Sequence, residues 1–173
     1  TAFGFTEAEV FAALEHVNLG KYKKRVKQWY DGFVIGRCRD IYNPWSITRF
    51  IDSGGEFDTY WANTSSNNLV SSLISKGSRT LKCAMEDLMN GIPVEADIDE
   101  NLDFDSLESE DDAVWGLLYT TGYLKADSVN EDVYTLSITN VEIHKMFTRM
   151  FRKWFARTRG SFGDFQKAFL KGD

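Results

Sequence analysis

Two cysteines and two histidines among 173 residues leave little material for cross-linking or for nucleophilic catalysis. Cys38 and Cys83 stand in unrelated contexts, which excludes a disulfide framework and suits a reducing cytoplasm. His16 and His144 each fall in an amphipathic helical stretch with no cysteine or acidic motif at matching spacing, so they read as surface or packing residues and supply no nucleophile-base pair. No apolar run approaches the roughly 18 residues that a membrane-spanning helix needs. The chain opens on Thr1 with no charged, then apolar, then small-residue leader, and reads as an internal piece of a longer protein. A P-loop requires two glycines five apart followed by Lys and Ser or Thr, so that backbone N–H groups surround phosphate; no such string occurs. No lysine has Asp or Glu two positions before it, which removes the acidic-x-Lys ending of metal-dependent nucleases. The expectation is a segment without catalytic, cofactor-binding or metal-binding residues of its own, and so no enzyme by itself.

What is present is apolar and unevenly charged. A hydrophobic share of 43%, with 14% aromatic, is enough for one sizeable core or two lobes. The net charge of -6 argues against a surface that wraps nucleic acid, which needs a surplus of cations. Yet Lys21, Lys23, Lys24, Arg25 and Lys27 form one basic run, and Lys145, Arg149, Arg152, Lys153, Arg157 and Arg159 form another. Glu95 to Asp112 contains no Lys or Arg at all. The simplest reading is two solvated helix faces and a solvated loop.

Local signals lay out the elements. Thr6 and Glu9 form a capping box, and Phe5 and Val10 a hydrophobic staple, for a helix to about Val17. After Gly20 a basic segment to Trp29 predicts a second short helix, followed by short strands at Phe33 to Ile35 and Ile41-Tyr42. Asn43-Pro44 is a cap with proline at the first helical position, and that helix ends near Ser53. Asn63 to Ser66 lead into Leu69, Val70, Leu73 and Ile74, and Ser78 opens a helix reaching Met89. Val94, Ala96 and Ile98 then alternate with acids in an extended, largely exposed segment. A helix from Asp111, strands at Tyr123 to Ala126 and Val133 to Ile138, and a long helix capped by Asn140 follow. A last helix starts near Ser161.

The predicted fold is thus mainly α with small β-hairpins, an α+β chain. It comprises a helical lobe over 1–92 with a hairpin near 33–42, an acidic segment over 93–110, a winged-helix-like lobe over 111–158, and a C-terminal helix over 159–173. Ser128 to Asp132 would be the wing. Trp115, Leu118, Tyr123, Leu136, Ile138, Ile143, Phe147, Phe151 and Trp154 should share one core. Acids at Asp111 and Asp112 oppose phosphate binding by the first helix of that lobe, so docking is favoured over base readout. Asp97, Asp99, Asn101, Asp103, Asp105 and Glu108 match positions 1, 3, 5, 7, 9 and 12 of a calcium loop, but Leu102 replaces the required glycine and Pro93 precedes where a helix should enter. A solvated acidic loop is the simpler reading.

Four strings occur in order: Trp29-Tyr30-Asp31-Gly32-Phe33; Ile41-Tyr42-Asn43-Pro44-Trp45-Ser46; Tyr60-Trp61-Ala62-Asn63-Thr64-Ser65-Ser66-Asn67; and Leu117-Leu118-Tyr119-Thr120-Thr121-Gly122-Tyr123-Leu124. Together they resemble the C-terminal half of the AAA-ATPase-like family of predicted P-loop ATPases, commonly fused to a PD-(D/E)XK nuclease-like domain. The likeness runs over nearly the whole chain, with one departure: Ile138-Thr139-Asn140 stands where the family tends to show Ile-Pro-Asn. The resemblance implies a regulatory or coupling region between an upstream ATPase core, where ATP and Mg would bind, and a downstream nuclease-like domain of the same polypeptide. It marks Tyr30, Asp31, Gly32, Tyr42, Asn43, Pro44, Trp45, Trp61, Asn63, Ser65, Asn67, Gly122, Tyr123 and Asn140 as a shared structural junction. The alternative is a winged-helix-type module binding protein or nucleic acid through its basic helix faces, without tight nucleic-acid affinity.

Overall fold

The computed structural model describes residues 4–35, 38–61, 66–98, 111–131 and 133–157, with 66 and 154–157 described by backbone alone. Thr6 caps α1 (Glu7–His16): its hydroxyl accepts from the Glu9 amide, and the Glu9 carboxylate accepts from the Thr6 amide at 2.8 Å. A 3-10 turn at Gly20–Tyr22 leads into α2 (Lys23–Tyr30). β1 (Phe5–Thr6) and β2 (Phe33–Ile35) flank β3 (Cys38–Tyr42) in an antiparallel sheet, and α3 (Pro44–Asp52) follows with Asn43 accepting from the Trp45 amide at 2.9 Å. Val10, Leu14, Val26, Tyr30, Tyr42, Ile47 and Phe50 form the first core.

Helices α4 (Ser66–Lys76) and α5 (Arg79–Met89) precede β4 (Val94–Asp97), α6 (Asp111–Thr120), β5 (Leu124–Asn130), β6 (Val133–Ile138) and α7 (Val141–Arg157). The chain is α+β, with two three-stranded antiparallel sheets among its described residues. In the second sheet β6 lies between β4 and β5, so a strand, a helix and a hairpin close on one another. Two expectations change here. The segment after Pro93 is extended, but β4 pairs along β6 and buries Ala96 and, just beyond, Ile98; a period of two sends these side chains to the core and leaves Glu95 and Asp97 exposed. The expected wing shrinks as well. Ser128, Val129 and Asn130 pair with Thr135, Tyr134 and Val133, so the hairpin closes in two residues, the first of which, Glu131, has φ 55°.

The second core takes in more of the chain than residues 111–158. Val70, Leu73 and Ile74 of α4 and Leu81, Met85 and Leu88 of α5, expected within a lobe ending at 92, pack with Trp115, Leu118, Leu136, Phe147 and Phe151. Trp115, Leu118, Tyr123, Leu136, Ile143, Phe147 and Phe151 do converge on this core, with Ile138 at its edge; the Trp154 side chain lies outside the described residues. The expected C-terminal helix over 159–173 also lies outside them. So does all of the acidic calcium-like string except Asp97, which sits in a strand opposite Val133. Among the described residues no helix is long and apolar enough to cross a membrane.

Candidate functional site

The residues between β6 and α7 hold the two cores together. Thr139 donates from its hydroxyl to the Gly122 carbonyl at 2.7 Å and from its amide to the Tyr123 carbonyl at 3.3 Å, tying the end of β6 to the end of α6. Gly32, at φ 101°, lies so close that a Cβ there would stand 2.8 Å from the Thr139 carbonyl oxygen. Gly122, at φ 83°, meets Phe33 in the same way, with a would-be Cβ at 2.6 Å from its ring. Both glycines are therefore required by close approach as well as by backbone sign. Asn140 caps α7 by accepting from the Ile143 amide at 3.1 Å, and its side-chain amide donates to the Asp31 carbonyl at 2.9 Å.

Two residues further, Glu142 is fully buried. One carboxylate oxygen accepts from the Ser46 hydroxyl at 2.8 Å and the other from the Trp61 amide at 2.8 Å. No cation pairs with it among the described residues. Burial pushes its carboxyl up to about 7; the Trp61 amide and Ser46 hydroxyl pull the other way, and the charge of Asp58 adds to the rise. The polar chain continues inward: Asn67 donates to the Trp61 carbonyl at 3.1 Å and accepts from the Tyr123 hydroxyl at 2.6 Å. Trp61 stacks obliquely on Tyr123, with ring centroids 4.6 Å apart. One buried network thus runs from Ser46 on α3 through α7 to the second core, and its members fix one another only while all are paired.

Further along α7, Arg149 donates to the Asp58 carboxylate at 2.8 Å and to the Thr59 hydroxyl; the first of these bonds, with the Thr59 amide donating to the same carboxylate at 2.7 Å, holds the Asp58 carboxyl below its usual range. Asp58 is anchored in turn by Tyr30, whose hydroxyl donates to its carbonyl at 3.0 Å and, in the core, titrates well above the ordinary tyrosine range because of burial. Asp31 is nearly buried, and desolvation raises its carboxyl, an effect that Lys27 at 3.7 Å partly offsets.

The structure brings together Tyr30, Asp31, Gly32, Trp61, Asn67, Gly122, Tyr123 and Asn140 at or beside this junction. Tyr42, Asn43 and Pro44 stand one step away, at the entry to α3. Tyr42 is buried in the first core with its hydroxyl 3.3 Å from Glu7, while Asn43 and Pro44 start the helix. Trp45 is 55% exposed, and its indole N–H, donating to the Tyr60 carbonyl at 3.3 Å, ties it inward. Asn63 and Ser65 lie outside the described residues. Sequence reasoning missed Glu142 and the Arg149–Asp58 pair. An acid in the first turn of a helix ordinarily offsets the macrodipole in solvent, so nothing local distinguishes Glu142. The expected groove-entering end of α6 is also occupied: Asp111 accepts from the Ser78 hydroxyl and, at 3.3 Å, from its amide, at the start of α5.

The junction can hold a proton and can hold two cores in register. Among the described residues no three His, Cys, Asp or Glu side chains gather as metal ligands. No family model, curated protein or solved structure matches the chain.

Proposed function

We propose that the chain is a non-catalytic regulatory and coupling region of an AAA-ATPase-like protein, set between a P-loop ATPase core and a nuclease-like domain of the same polypeptide. One observation carries most weight: α7 buries Ile143, Met146, Phe147 and Phe151 in the second core while Asn140, Glu142 and Arg149 bond to Asp31, Ser46, Asp58 and Thr59 outside it, and Glu142 also accepts from the Trp61 amide at its edge. A helix packed into one core and hydrogen-bonded at three levels to the elements beside it suits a lever that passes displacement from one end of the chain to the other. The ordered motifs support this reading by their resemblance to the family, and the same motifs contribute much of the junction. A cytoplasmic location belongs to this reading and agrees with two free, exposed cysteines. ATP and Mg belong to the upstream core.

The test is ATP turnover by the isolated chain and by the P-loop core assigned to it, with and without the chain. The chain alone should turn over no ATP, and its addition should change the rate of the core. Turnover by the chain, or a core indifferent to it, overturns the proposal.

A further inference from the structure

The two basic runs, far apart in sequence, meet in the fold. α2 packs beside α7, and Lys145 places its ammonium 5.4 Å from the centre of the Trp29 ring. Arg25 lies 4.1 Å from the centre of Phe57 and 6.0 Å from that of Trp29, and the two rings stand 5.3 Å apart. Trp29 and Phe57 are half-buried, so an aromatic pair is set between cations at the surface. Along α7, Lys145, Arg149 and Arg152 recur at the spacing of one helix face, and all three are exposed. Lys24 and Arg25 extend the exposed charge on α2.

These cations are not used up internally. Arg149 is paired with Asp58, but Lys24, Arg25, Lys145 and Arg152 form no ion pair among the described residues. The local excess runs against the chain as a whole, whose net charge is -6. A cluster of unpaired cations repels itself, and an anion that binds across it relieves that repulsion while releasing its own counterions. A compact anion would need one pocket; a polyanion suits charges spread over two helices. The aromatic pair narrows the choice further. A duplex hides the faces of its bases, whereas a single strand can lay them on an aromatic platform flanked by phosphate-binding side chains.

We propose that the α2–α7 face, centred on Arg25, Trp29, Lys145 and Arg152, binds single-stranded nucleic acid. Phosphates lie along the cations and a base stacks beside Trp29.

The experiment is fluorescence anisotropy of a labelled oligothymidylate of about 20 nucleotides, long enough to exceed one such site, titrated with the chain between about 50 and 200 mM KCl. Binding should weaken steeply with salt. The Lys145→Ala/Arg152→Ala variant, which removes only exposed side chains, should lower affinity at least ~10-fold at the low-salt end and reduce the log–log salt slope by about 1.4, two contacts at about 0.7 each. Arg79→Ala/Lys82→Ala, exposed cations on α5, should leave both unchanged. Four results overturn the proposal: no binding at the lowest salt, equal losses in the two variants, preference for a duplex of the same length, or binding to phosphatidylserine vesicles in place of the oligonucleotide.

Discussion

Replacing Glu142 by glutamine changes one titration and keeps the shape of the side chain. The amide oxygen still accepts from the Trp61 amide, and the amide nitrogen donates to Ser46, whose hydroxyl can rotate. In the folded protein burial holds the wild-type carboxyl at about 7 against an ordinary 4.5, so the native state binds this proton more tightly than the unfolded chain does. The sign follows from linkage: the contribution is fully present below the unfolded value of 4.5 and is lost as pH rises through 7. The gap of about 2.5 units, at 1.36 kcal/mol per unit, amounts to about 3 kcal/mol, and full burial leaves little solvent screening to reduce it. Urea unfolding of both proteins, followed by tryptophan fluorescence, isolates this group because every other titration is shared. From about pH 5 to about pH 8 the wild type should lose about 2–3 kcal/mol relative to Glu142→Gln, most of the full gap. A difference between the two proteins that stays constant with pH, or that favours the wild type as pH rises, would refute the assignment of Glu142 as a buried, uncompensated acid.

Gly122→Ala forces a Cβ into a left-handed residue and against the Phe33 ring at 2.6 Å, and should cost about 2–4 kcal/mol in the same unfolding assay; a loss under ~0.5 kcal/mol would mean that Phe33 moves aside freely. Asn140→Ala removes both the α7 cap and the bond to the Asp31 carbonyl and should cost about 1–2 kcal/mol, whereas Asn140→Asp keeps the cap and should recover part of it. The Arg149–Asp58 pair is more than half exposed on both sides, so a double-mutant cycle should find a coupling no greater than ~1 kcal/mol that shrinks with salt; a larger, salt-independent value would indicate that the pair is shielded.

Some of this protein is legible residue by residue. The Thr6–Glu9 box, the Asn43-Pro44 start, the Ser78 cap and the Asn140 cap all operate within three or four residues, so they place helices wherever the rest of the chain goes. The same holds for the inward residues of α6 and α7, whose period fixes which side chains share a face. The mixed α+β class follows from these local signals.

Which faces meet was not written locally. Residues after Pro93 read as an exposed acidic stretch, because only the presence of β6 beside them makes an alternating segment into a paired strand. The glycines at 32 and 122 announce turns, but the carbonyl of Thr139 and the ring of Phe33 that make them irreplaceable come from the other part of the chain. Glu142 has the sequence signature of a solvent-facing acid at a helix start; Ser46, carried by α3 of the first core, and Trp61, packed at the edge of the second, turn it into a buried one. The basic runs were visible from the start, yet their meeting around Trp29 depends on α2 lying against α7. Capping and periodicity are short-range and act on each segment alone, whereas desolvation and charge clustering depend on neighbours distant in sequence, and those the tertiary structure alone supplies.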